Sequence, residues 1–106
     1  MESEFPIWDE SLAQRLNGAL VLVGMTFVHP DGTTQEQFYG RVEQADAVKG
    51  IALRLAGERA GELYNLPPDM RAFTTAGPGV YTLRGTGEQV EDPDYTCTWT
   101  INAPRN

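Results

Sequence analysis

His29 and Asp31 frame the sequence His29-Pro30-Asp31-Gly32, and an imidazole near a carboxylate is the pairing that general-base chemistry uses at neutral pH. Such a base needs a nucleophile, and neither serine nor cysteine stands close to it in the chain. The Pro-Asp-Gly punctuation predicts a solvated turn histidine instead. Cys97 is the sole thiol. A nucleophilic cysteine works as its thiolate, but alternation across 95–101 puts Cys97 on one strand face with Tyr95, Trp99 and Ile101, where a buried thiol behaves as a small hydrophobe. Glu88, Glu91, Asp92 and Asp94 are suitable donors for a hard cation, yet their spacing departs from the calcium-loop pattern and Pro93 stiffens the centre. They predict a solvated acidic hairpin tip. Gly77, Gly79, Gly85 and Gly87 lack the Gly-Lys-Ser/Thr ending and the following helix of a phosphate cradle, so they are expected to be turn glycines. Tyr39, Tyr64, Phe73 and Tyr81 would line a groove if they shared a face, but aromatics in a small β domain fill its core or cover a sheet. The expectation is a chain without catalytic, cofactor-binding or metal-binding constellations, and not an enzyme.

The elements that would carry these residues follow from periodicity. Trp8, Leu12 and Leu16 recur at helical spacing, which predicts a short amphipathic helix over about 7–17 with Pro6 suited to its first turn. Asp9 and Glu10 complement the positive end of the helix dipole, and Asn17-Gly18 supplies the stop. The period then changes. A run rich in Val, Leu and Phe over 19–28 reads as a strand ending at the Pro30-Asp31-Gly32 turn, and 35–45 should pair back against it. A third strand alternates Ile51, Leu53 and Leu55 with Ala52, Arg54 and Ala56. A short fourth at 62–66 is stopped by Pro67-Pro68, which cannot donate to a ladder, and a turn over 69–75 leads into a fifth. Beyond Gly77-Pro78-Gly79, strands are predicted at 80–84 and 95–101, the latter with Thr96, Thr98 and Thr100 opposite its apolar face. Residues 103–106 are expected to fray.

A helix followed by a bent antiparallel meander is the organisation of the Sm-like barrel, and one stretch resembles that family's first motif. Gly40, Val42, Asp46, Gly50, Ile51 and Leu53 stand where the family has glycine, an apolar residue, aspartate, asparagine and two apolar residues, with Gly50 replacing the asparagine. Leu83-Arg84-Gly85 is similar to the second motif, at a longer spacing that includes Pro67, Pro68 and Pro78. The resemblance, which covers most of residues 7 to 56, implies a mostly β fold with a short N-terminal helix and a small Sm-like or SH3-like antiparallel barrel over about 19–75. Chain length and the later strand pattern predict a single domain over 1–106 with an additional C-terminal hairpin over about 80–101. The resemblance also implies that Asp46, Gly50, Arg84 and Gly85 occupy the loop positions with which the family holds RNA. Gly50 removes a base-reading amide from that set. The LPPD and DPDY punctuation is similar to that of small uncharacterised bacterial proteins, a likeness that implies no activity.

Charge bears on the partner. Fifteen acids against eight bases leave a net charge of -7, which opposes nonspecific binding to phosphate backbones. One cysteine excludes an intramolecular disulfide and a thiolate metal cage, which fits a reducing compartment. The longest apolar run, 19–23, is too short to span a bilayer and no apolar leader follows the acidic Met1-Glu2-Ser3-Glu4, so a cytoplasmic protein is expected. The leading expectation is a protein-interaction or assembly module whose partner is a second copy, giving a homo-oligomer, or another protein, docked through a sheet edge. The alternatives are an acidic inhibitor or immunity-type protein that neutralises a basic partner, and residual RNA binding through Arg84 and Asp46.

Overall fold

A computed structural model describes residues 8–102. Within them the chain is mostly β: a helix α1 (Glu10–Leu16), then strands β1 (Leu20–His29), β2 (Gly32–Asp46), β3 (Gly50–Leu55), β4 (Leu63–Leu66), β5 (Phe73–Thr75), β6 (Val80–Thr82), β7 (Gln89–Glu91) and β8 (Tyr95–Asn102). Short 3-10 turns at Gly57–Arg59 and Met70–Ala72 join β3 to β4 and β4 to β5. Pro6 and the 103–106 terminus lie outside the described residues.

The helix forms on the expected segment but is shorter than 7–17, because it starts only after Asp9, so that Trp8 precedes the helix instead of standing on its face. Asp9 does more than complement the dipole: its Oδ1 accepts the N–H groups of Ser11 and Leu12 at 3.0 and 3.2 Å, making it the N-cap. Leu16 and Ala13 bury against the sheet, with Trp8 and Leu12 packed beside them. At the other end Gly18, at φ +81°, turns the chain so that its N–H meets the Val42 carbonyl at 2.9 Å.

Strands β1 to β4 form the expected antiparallel meander, in the order β4-β3-β2-β1. A register shift between Val42 and Gln44 marks a bulge that bends β2. The sheet continues as β1-β8-β5, with β8 parallel to β1 and antiparallel to β5. Here the architecture departs from a closed barrel: β4 and β5 are two separate edges, and no strand pairing joins them among the described residues. The segment 80–101 also divides. Val80–Thr82 and Gln89–Glu91 make a small separate hairpin, whereas β8 leaves it and enters the main sheet.

The reason lies in the alternation of β8. Tyr95, Cys97, Trp99 and Ile101 fall level with Val21, Val23, Met25 and Phe27, so the parallel register continues the apolar face of β1 instead of inverting it. Asp94 sets that register: its N–H donates to the Leu20 carbonyl and its Oδ2 accepts the Leu20 N–H, both at 2.8 Å. The core lies on one face of this sheet, where Val23, Phe38, Ile51, Leu53 and Leu66 cluster with Ala13 and Leu16 of α1 and with Met70. The small hairpin lies on the opposite side, because the Arg84 N–H donates to the Gln37 side-chain oxygen at 2.7 Å, and Gln37 points away from its buried neighbour Phe38. Leu83 and Val90 are buried there, outside the main core cluster.

Candidate functional site

The residues singled out for chemistry are dispersed. His29 is a half-buried strand-end residue whose Nε2 lies 3.2 Å from the Thr34 hydroxyl. It ends β1, whereas Cys97 pairs with Val23 nearer the start of that strand. Burial pushes the Cys97 thiol up to about 12, the nearby Trp99 indole acting weakly the other way. At neutral pH the thiolate is therefore scarce in the folded chain. Cys97 should react with a disulfide reagent orders of magnitude more slowly in the native protein than in urea; rapid native labelling would show the strand opening locally.

Three of the four acids of 88–94, Glu88, Asp92 and Asp94, work as braces. Glu88 Oε2 accepts the Glu58 N–H at 2.9 Å, tying the hairpin to the turn after β3, and Asp92 Oδ1 accepts the Gly79 N–H at 2.8 Å. With Asp94 committed to Leu20, these carboxylates face different backbone amides. No group of three His, Cys, Asp or Glu side chains is placed to hold a metal ion among the described residues. Three of the four aromatics, Tyr64, Phe73 and Tyr81, are placed apart. Tyr64 packs on Phe38 at 4.8 Å between ring centroids, Phe73 is buried in the core, and the Tyr81 hydroxyl donates to the Gly77 carbonyl.

The loop positions implied by the Sm-like resemblance fall into two places. Asp46 closes β2 in an Asx turn, its Oδ1 accepting from Val48 at 2.7 Å and Lys49 at 2.8 Å. The bonds from Lys49 and then Val48 hold its carboxyl below the usual aspartate range. Gly50 has φ +104°, and a Cβ there would collide with the Leu66 carbonyl oxygen, so neither an asparagine nor any other side chain fits without displacing β4. Arg84 and Gly85 lie elsewhere, over the middle of β2 at Gln37. The two pairs are therefore not brought together, and the geometry lends no support to RNA binding by that set.

Arg84 and Gly85 instead line a groove of about 670 Å³ between the β6–β7 turn and the outer face of the sheet. The strand registers build its floor. Gln37, Gly24 and Thr98 form one row across β2, β1 and β8, and Gln35, Thr26 and Thr100 form the next. The outward threonines of β8 are legible from alternation, but nothing local to them shows that β1 and β2 add further polar groups level with them, because the parallel pairing with β1 is nonlocal.

A second feature adjoins the groove. β5 pairs only with residues 95–97 of β8, so residues 98–102 have β1 on one side and no strand on the other among the described residues. This open run, Thr98-Trp99-Thr100-Ile101-Asn102, carries no charge and no proline. Ile101 is 38% exposed, and the Trp99 Nε1 is buried without a hydrogen-bond acceptor of ordinary geometry among the described residues. No helix of the described residues is long and apolar enough to cross a membrane. In comparisons with known proteins, no family model, curated protein or solved structure matches this chain.

Proposed function

We propose that the chain is a non-enzymatic assembly module that pairs with a second copy strand to strand, the mode of association that the Sm-like resemblance leads one to expect, through residues 98–102 of β8. The open, uncharged run at the end of β8 carries this reading. A strand edge presents unpaired N–H and C=O groups, and proteins blunt such edges with charge, proline or brevity. The other edge is protected in that way: β4 is four residues long and runs into Pro67-Pro68. Residues 98–102 themselves carry neither charge nor proline, although Pro104 and Arg105 follow them in the sequence.

A copy of the same chain suits this edge. With a net charge of -7, two copies repel over most of their surfaces, and an uncharged run is where they can meet at little electrostatic cost. Antiparallel pairing about a two-fold axis places the same segment on both sides and extends the row in which Ile101 stands level with Phe27. Light scattering on a sizing column should give a concentration-dependent dimer that persists as salt rises, and Ile101→Lys should return it to monomer. A mass that stays monomeric at the highest soluble concentration, or a dimer indifferent to Ile101→Lys, would overturn the assignment. Association only with a basic protein, weakening steeply with salt, would favour the acidic-inhibitor reading.

A further inference from the structure

We propose that the groove beneath the β6–β7 turn binds a small hydroxylated carboxylate, of the sugar-acid class. This goes beyond the edge pairing and uses different groups: side chains above the sheet face instead of backbone at its margin.

Arg84 carries the argument. The other described arginines are engaged: Arg15 with the Ser11 hydroxyl, Arg41 with the Gly18 carbonyl, Arg54 with Glu43, Arg59 with Glu62 and Arg71 with Asp69. Arg84 alone among them has a guanidinium with no partner among the described residues, although the chain holds fifteen acids. Its backbone, by contrast, is hydrogen-bonded. The preceding Leu83 is 1% exposed, its N–H donates to the Glu88 carbonyl at 2.8 Å, and the Arg84 N–H is taken by Gln37. The fold thus presents an unpaired guanidinium from a hydrogen-bonded turn at the groove.

The floor supplies the rest. Thr26, Thr98, Thr100 and Gln35 line it with hydroxyl and amide groups, none of which makes a side-chain hydrogen bond among the described residues. Gly24 leaves the centre of the floor without a side chain. Hydroxyl and amide groups both donate and accept, which matches a polyol, while a planar guanidinium matches a carboxylate in bidentate fashion. Arg59 and Glu36 also line the groove, but their charges offset one another across 3.6 Å, and Arg59 is held by Glu62 as well. One free cation suits a single carboxylate better than a doubly charged phosphate. The volume is that of a small-molecule site.

The test is a titration of uniformly 15N-labelled protein with sodium glucuronate, followed by amide shifts, with glucose and acetate as comparison probes. Glucuronate should move the amides of Gly24, Gly85, Thr98 and Thr100 saturably, and glucose and acetate should each bind about ten-fold more weakly or less. Arg84→Gln should weaken glucuronate about ten-fold with the spectrum otherwise retained, and Thr98→Val should weaken it by a smaller factor. The site is overturned if glucuronate leaves those amides unmoved, if Arg84→Gln binds it equally, or if acetate alone matches it. Self-association is read separately by mass, so failure here and failure of the edge pairing are distinguishable.

Discussion

Replacing Gly40 with alanine is expected to lower the thermal unfolding midpoint by more than about 10 °C, a loss of about 3 kcal/mol in a domain of this size. The cause is space, not conformational freedom, since the φ of Gly40 lies outside the left-handed region. Gly40 sits on β2 opposite Leu55, and a Cβ built there would run into the Arg54 carbonyl oxygen, with Leu55 Cα only 2.8 Å away. Both obstacles are backbone of the paired strand, so no side-chain rotation relieves them. Either β3 moves or its ladder opens, and β3 carries Ile51, Leu53 and Leu55 into the core. Gly24→Ala is the control on the neighbouring strand. Its added methyl would meet only the Thr98 methyl at 3.6 Å, an ordinary contact, and strand glycine is itself unfavourable, so stability should hold or rise by about 0.5 kcal/mol. Equal losses in the two variants, measured by calorimetry, would contradict the close-approach account.

Gly40 also shows how much of the fold the sequence carries. The meander was legible because each strand alternates within itself and is separated by local punctuation: Pro30-Asp31-Gly32 after β1, the Asp46 turn after β2, Pro67-Pro68 after β4. The insertion of β8 beside β1 was not, because alternation states which residues share a face and is silent about which strand lies alongside. The information that decides it, the Asp94 clamp on Leu20, links residues far apart in the chain. The acids of 88–94 misdirect for the same reason. Read in sequence they are a cluster, yet in space Glu88, Asp92 and Asp94 brace three different segments. Arg84 was legible as a notable residue through a motif, and its position over the polar rows of β2, β1 and β8 follows only from the hairpin folding back onto the sheet.

Ile51→Ala and Leu83→Ala remove side chains of equal size from two places and should fail in different ways. Ile51 has no exposed surface, pairs with Ala45 on one side and Leu66 on the other, and belongs to the main core. Its truncation should cost about 3–4 kcal/mol of global stability, read as a parallel loss of protection for the slowest-exchanging amides of β1, β2 and β3. Leu83 is as deeply buried but stands outside that cluster, under a two-stranded ribbon held by Gln37, Glu88 and Asp92. Two-stranded ribbons have little stability of their own. Leu83→Ala should therefore speed exchange across β6 and β7 by about 2 kcal/mol or more in local opening while the slowest amides of β1 to β3 keep their protection. If instead Leu83→Ala lowers protection in all three strands as far as in the hairpin, the ribbon is part of one cooperative unit and the two-core account fails. The distinction bears on the groove, whose roof is the β6–β7 turn. A hairpin that opens independently would let Arg84 move away from the threonine floor without unfolding the sheet, so ligand affinity in Leu83→Ala should fall with hairpin opening even though the midpoint set by the main core changes little.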